Sequence, residues 1–336
     1  MIVDAHNHVI PESMIAFLEK DAATFGVKTD TLDGVQRLVH REGFAYPMFS
    51  EFLDPAEKVR KLDERGFDKA VISPSPTLFF YRVPAERNAE FVRLLNEEIA
   101  RFVRSAPDRL IGMATLPMQS PEASIAEIDY LVDHLGIRSV MIGTHIDGVQ
   151  LADPSLRPVL KHAADRGVFI LTHPYYFGSK PGLEPYYLTN LIGNPLDTTV
   201  MAAHLIFAGV MEEIPNLKIC LSHGGGFAPY QVGRLVHGWN VRKEARTVST
   251  SPKELLKRFY FDTITHDPQA LRYLIDFAGP DHVLLGTDIP FDMADLDPLG
   301  TLALADVSPE DRTRIIGGNA LDLCATVNAR SLENVR

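Results

Sequence analysis

Two cysteines, Cys220 and Cys324, and a single tryptophan, Trp239, stand in a chain of 336 residues. Neither cysteine has a CxxC partner, which excludes a disulfide framework and a cysteine-based zinc site and leaves both as buried packing residues. Basic residues are in the minority: 33 Lys+Arg against 44 Asp+Glu give a formal net charge of −11. A broadly acidic surface argues against nucleic acid or an anionic membrane as partner. It leaves room for a small anionic substrate met by a local basic pocket. No apolar run approaches the ~20 residues that span a bilayer. The opening MIVDAHNHVI has no basic stretch followed by an apolar one, so a cytoplasmic protein is expected. No low-complexity segment, charge run or composition shift marks a linker. Although length alone suggests two domains, residues 1–336 are expected to form one. Hydrophobic content of 46% and charged content of 23% are ordinary for a globular protein and exclude a disordered chain, a collagen or a coiled coil.

What the chain does have is a recurring pair of patterns. Short apolar runs occur at IVDA (2–5), KAVISPS (69–75), RLIGMATL (109–116), RSVMIGT (138–144), VFILTH (168–173), LKICLSH (217–223), RFYFDT (258–263) and HVLLGTD (282–288). Helical patterns lie between them, several opened by Asp-Pro or Ser-Pro, as at Asp54, Ser120, Asp153 and Asp267, where the first residue caps and proline takes the first helical position. Near-continuous apolar strands alternating with helices predict a parallel sheet covered on both faces. Eight such units predict an α/β fold of the (β/α)₈ TIM-barrel type, with insertions after strands one and five. A doubly wound open sheet is the competing fold, but the first strand runs into DAHNHV and not into a glycine-rich phosphate turn. Residues 10–53 read as irregular.

Of twelve histidines, His6, His8, His173 and His223 fall at or just past the carboxyl ends of predicted strands one, five and six, and Asp288 falls at the end of strand eight. In a barrel those ends gather at one face. His6-x-His8 at period two points both imidazoles one way. With His173 and Asp288 they make a set of nitrogen and oxygen ligands for a divalent metal, and His223 is then a base beside it. Each histidine alone is more simply a polar strand-end residue; the convergence favours the metal. Strand four, SVMIGTH, carries no residue able to bridge two ions, so one metal is expected.

The segments DAHNHVIP, LTHP, LSHGGGFAPYQVGRL and LLGTDIPF resemble the amidohydrolase superfamily, within it the aminocarboxymuconate semialdehyde decarboxylase branch. The resemblance implies a barrel with one metal, usually zinc, with manganese also suited to three imidazoles and a carboxylate. It implies His6, His8, His173 and Asp288 as ligands and His223 with Asp288 as catalytic residues. It also implies a homodimer in which Arg234 reaches the neighbouring subunit's site to hold a substrate carboxylate, with Trp239 near the contact. The branch's second carboxylate-binding arginine has no counterpart, since Ala45 or Tyr46 stands there. Arg82 is a candidate for a different anion contact. Tyr175, Tyr176, Phe177, Tyr186 and Tyr187 form an aromatic insertion, with Tyr175 a candidate wall for a planar substrate. The expected activity is a metal-dependent non-oxidative decarboxylation of a small unsaturated or aromatic acid, with a metal-activated water and His223 as acid and base. The alternative is hydrolysis of an amide, lactone or ester at the same mononuclear site.

Overall fold

Apolar strands too short to cover themselves must satisfy their backbone groups on both neighbours, and a sheet closed on itself leaves no edge unpaired. The computed structural model describes residues 1–175 and 181–324 and has this arrangement. The parallel strands are β1 (Val3–Val9), β2 (Lys69–Pro74), β3 (Leu110–Gly112), β4 (Ser139–Gly143), β5 (Phe169–His173), β6 (Lys218–Leu221), β7 (Tyr260–Asp262) and β8 (Val283–Leu284). Ladders join β1–β2–β3 and β4–β5–β6–β7–β8. Two junctions close the ring. The Ala114–Val140 bridge links the end of β3 to β4, with Met141 N donating to Ala114 O at 2.8 Å. Ala5 N donates to Leu285 O at 2.8 Å and His8 N to Ile289 O at 2.9 Å, which joins β8 to β1. The fold is a (β/α)₈ barrel; seven of the eight apolar runs contain one of its strands, and the first, residues 2–5, reaches only the opening half of β1.

The helices form where the caps direct them. Asp54 Oδ1 accepts from Ala56 N at 2.9 Å ahead of the helix Pro55–Arg65, and Asp267 Oδ1 accepts from Gln269 N and Ala270 N ahead of Pro268–Ala278. Each such cap is worth about 1 kcal/mol. The third Asp-Pro behaves differently from expectation. Asp153 makes a turn with Ser155, and its helix starts only at Arg157. Pro158 has no N–H to return to the carbonyl of residue 154, so it is tolerated only in a first turn, which moves the start downstream.

Residues 10–53 are not irregular. A helix, Glu12–Lys20, is followed by an antiparallel sheet of Val27–Leu32, Val35–His40 and Ala45–Pro47. Its first turn is Asp33-Gly34, both at positive φ, which is the backbone that a two-residue hairpin of matching twist requires. A second hairpin, His145–Ile146 with Val149–Gln150, turns on Asp147-Gly148. Both hairpins stand over the carboxyl ends of the barrel strands. Among the described residues no helix is long and apolar enough to cross a membrane.

Candidate metal centre

The end of β1 and the segment after β8 are knitted together before any ligand is considered. Asp288 N donates to His6 O at 2.8 Å, and Thr287 N and Oγ1 donate to the buried Asp4 at 3.1 and 2.6 Å. Gly286 is required at this seam, because a Cβ there would stand 2.9 Å from the His6 Cβ. Asp288 is held at a φ of 65°, a conformation that a non-glycine residue keeps only where its surroundings impose it. The outcome is that Asp288 faces the two histidines of β1.

His6, His8, His173 and Asp288 are all buried, and one ligand atom from each lies within 4.8 Å of the others. Asp288 Oδ1 is 2.8 Å from His8 Nε2, 3.5 Å from His173 Nε2 and 3.6 Å from His6 Nε2. Three imidazole nitrogens therefore converge on one carboxylate oxygen. His6 Nε2 and His173 Nε2 are buried without a hydrogen-bond partner. Buried polar atoms left unpaired are expensive, and a shared cation satisfies them together. Burial lowers the pKa of His8 to about 4 and of His173 to about 3, which keeps both rings neutral, as metal ligation requires. Burial works against ionisation of Asp288, but the imidazoles of His173, His223, His8 and His6 that face it outweigh burial and hold the carboxyl well below its usual range. The residues fit one divalent ion.

The outer nitrogens of the rings are also held, which sets ring orientation. His6 Nδ1 is 2.8 Å from Asp262 Oδ2, at the end of β7. His8 Nδ1 lies 3.2 Å from Ser73 Oγ and 3.4 Å from Pro74 O, and His173 Nδ1 faces Pro174 O. Behind β1, the fully buried Lys58 donates to Asn7 Oδ1 at 2.7 Å and His8 O at 3.1 Å, with Glu51 at 3.5 Å. Asn7 in turn donates to Asp4 at 2.7 Å. Burial lowers the Lys58 pKa to about 8, with Glu51 and Asp4 acting to raise it.

His223 is placed by the HGGG turn. It has a φ of 54°, and Gly224, Gly225 and Gly226 are all at positive φ. A Cβ at Gly226 would fall 2.1 Å from Pro195 O, and one at Gly225 would fall 2.7 Å from the Phe261 ring, so the turn admits no side chain there. Asp262 clasps it from below, accepting His223 N at 2.9 Å and Gly224 N at 2.8 Å. His223 Nε2 then sits 3.4 Å from Asp288 Oδ2, opposite the oxygen that the other three rings share, and its side chain is 16% exposed. Asp262 thus orients both His6 and His223. It was not singled out in the sequence, where the signal was a lone acid closing an apolar strand.

β4 ends at Gly143, which offers no side chain to a second ion. A Cβ there would meet the Tyr81 ring at 2.8 Å and the Tyr175 ring at 3.0 Å. Aromatic packing fills the space, in keeping with one ion.

The sequence profile of the amidohydrolase family matches residues 3–323. The chain belongs to this family. A 2-amino-3-carboxymuconate-6-semialdehyde decarboxylase of Dictyostelium discoideum is 33% identical over 325 residues, 95% of this chain and 90% of its own. That likeness sets this amidohydrolase in the aminocarboxymuconate semialdehyde decarboxylase-like branch. Among solved structures, Metarhizium anisopliae IDCase in its apo form superposes with a TM-score of 0.84 at 25% identity over 96% of both chains. The dihydroxybenzoic acid decarboxylase of Polaromonas sp., solved with manganese and 2-nitroresorcinol, gives 0.79 at 22% identity over 99% of both chains.

A cavity of about 810 Å³ opens onto this amidohydrolase centre at His173 and Asp288. Its walls include many rings, among them Tyr46, Phe80, Tyr175 and Phe291. The Tyr175 ring lines the cavity, and its hydroxyl accepts from the N–H of Asp147, another lining residue, at 2.9 Å. Tyr187 lines the cavity, Tyr186 is 84% exposed, and Tyr176 and Phe177 lie outside the described residues. Arg82 reaches the mouth, but its charge is taken: it meets Asp147 at 2.7 Å and Glu42 at 3.5 Å. Arg234 lies on the helix Ala228–Val241, exposed, and makes no ion pair among the described residues. Trp239 is half-buried against the core and donates to Val248 O at 3.0 Å, so its polar end is used within its own chain.

Proposed function

We propose that the protein is a metal-dependent, non-oxidative decarboxylase of a small aromatic or unsaturated carboxylic acid. The observation that carries this reading is the buried His₃Asp cluster with His223 on the free side of Asp288, opening into a cavity walled by rings. The Dictyostelium relative, named as a decarboxylase, supports it. A divalent ion held by His6, His8, His173 and Asp288 supplies Lewis-acid polarisation of a substrate oxygen, which favours the charge that develops as CO₂ departs. Zinc is our first choice from the imidazole-rich set, and manganese, as bound by the Polaromonas enzyme, is the second. The Phe291 ring, 5.1 Å from His8, stacks a planar substrate and keeps water from its reacting carbon. As the carbon–carboxylate bond breaks, its electron pair stays on the carbon, and His223 gives that carbon a proton from Nε2. Asp288 Oδ2, 3.4 Å away, holds the imidazole in place for this transfer.

Headspace CO₂ measured over a panel of aromatic and unsaturated acids tests the reading. Stoichiometric release supports it, whereas turnover of amides, lactones or esters without CO₂ would assign hydrolysis instead. Chelation followed by reconstitution with zinc or with manganese decides the ion.

The reading extends to a homodimer in which Arg234 serves the partner's cavity. Its helix exposes Tyr230 at 79% and Val241 at 58% on the same face as Arg234. Gly233 and Gly238 lie inside the helix, and a Cβ on either would meet nothing within 4 Å. Interior helical glycines cost up to about 1 kcal/mol each relative to alanine. Among the described residues nothing fills the space beside them, which supports close approach of a second copy. Unpaired thiols at Cys220 and Cys324 support a cytoplasmic enzyme.

A further inference from the structure

The cavity is larger than the chemistry at the metal centre needs. Its volume of about 810 Å³ is in the range that encloses drug-sized ligands, well beyond a single-ring acid. It extends outward along a succession of rings. From His8 these are Phe291 at 5.1 Å, then Tyr46 at 6.4 Å, His40 at 5.7 Å, Phe80 at 5.7 Å and Phe25 at 5.1 Å, each measured from the ring before it. Beside that outer end stands Arg41, which also lines the cavity.

Arg41 is prepared for an anion in a way that Arg82 is not. Its guanidinium lies across Gly26, where a Cβ would fall 1.9 Å from Nε, and Gly26 has the positive φ of a residue that must stay bare. Arg41 N donates to Gly26 O at 2.7 Å, and Nη2 donates to Ala23 O at 3.0 Å. The carbonyls of Ala23 and Thr24, at 3.0 and 3.5 Å, thus hold one nitrogen of the solvent-exposed guanidinium, and no carboxylate among the described residues pairs with it. The acids lining the same cavity discourage an anion elsewhere on the rim. Glu42 and Asp147 flank Arg82, and Asp292 accepts from the Tyr187 hydroxyl at 3.4 Å. His40, next to Arg41, is held by burial to a pKa of about 4 and adds a neutral ring.

We propose that Arg41 is a specificity-determining residue that binds a carboxylate at the end of the substrate remote from the metal. The preferred substrate is then two-ended: an aromatic acid whose reacting carboxylate meets the metal centre, an apolar spacer along Tyr46 and Phe80, and a second carboxylate at Arg41. A guanidinium held at one nitrogen loses less freedom on binding and grips a carboxylate bidentately.

This assignment rests on the aromatic-acid reading of the site, and binding, not turnover, tests it. Three probes are titrated calorimetrically into zinc-reconstituted protein: 2-hydroxybenzoate, 2-hydroxy-4-butylbenzoate and 2-hydroxy-4-(3-carboxypropyl)benzoate. The wild type is expected to bind the carboxypropyl compound about tenfold more tightly than the butyl one. Arg41→Gln is expected to erase that preference and leave the affinity for the butyl compound unchanged, which also shows that the pocket is still folded. Arg41→Lys is expected to restore part of it. Equal affinity of the wild type for the butyl and carboxypropyl compounds, or an equal loss for both in Arg41→Gln, overturns the assignment to Arg41 while the aromatic-acid reading stands. Failure of all three probes to bind overturns the aromatic-acid reading, and this assignment falls with it.

Discussion

At the scale of single residues, the two oxygens of Asp288 divide the work. Oδ1 faces His6, His8 and His173, and Oδ2 faces His223. His223→Ala is therefore expected to keep the metal, by elemental analysis, and to lose about 10²–10⁴-fold in kcat, the usual worth of a general acid. A metal-free variant would make His223 a ligand. Asp262→Asn replaces a carboxylate that accepts from His6 Nδ1, His223 N and Gly224 N by a group that can turn only one oxygen to them. Its metal affinity is expected to fall about 10–100-fold in chelator competition, because the ligand's outer partner is lost. Lys58→Met leaves Asn7 Oδ1 and His8 O without their donor in a dry site. Unfolding by denaturant is expected to show a loss of about 2–4 kcal/mol. The histidines were legible in the sequence because H-x-H and HGGG are spaced motifs at strand ends. Asp262, Asp4 and Lys58 were not. Each is a single polar residue, and a charge in isolation reads as solvated until burial is known. Lys58 did leave one trace, four residues before the buried Leu62 on the same helical face.

At the scale of elements, the barrel strands were visible because a parallel strand buried on both faces is apolar throughout. The antiparallel sheet over residues 27–47 was not, since most of its residues are part-exposed and alternate with polar side chains. Its readable sign was Asp33-Gly34, the turn that pins the register. That sheet supplies His40, Arg41 and Tyr46 to the cavity, so one wall of it comes from the part of the molecule the hydrophobic pattern hides. The HGGG turn is the opposite case, legible and unforgiving. Gly226→Ala forces a Cβ to 2.1 Å from Pro195 O at a φ of 60°. The turn must open, and kcat is expected to fall as far as in His223→Ala, with metal content retained. Activity close to wild type would show that the turn can relax without moving His223.

At the scale of the whole molecule, the exposed face of Ala228–Val241 is where the proposed dimer is tested. Sedimentation is expected to show a dimer that Gly233→Trp converts to monomers, since an indole fits the open space of one chain but not a close approach of two. Mixing inactive Arg234→Ala with inactive His223→Ala chains is expected to recover activity, because one cavity of the mixed dimer has both residues. No recovery after verified subunit exchange would confine each site to its own chain. The seam between β1 and β8 carries a different consequence. His8 and Asp288, 2.8 Å apart in space, are 280 residues apart in the chain. A ribosome adding about 5–20 residues per second needs tens of seconds to make that span. Throughout that interval His6 and His8 have left the ribosome without the carboxylate that completes their site. A nascent chain cut short by a stalled ribosome or a premature stop holds at best part of the ligand set. Binding by all four residues therefore waits until the chain past β8 has been made.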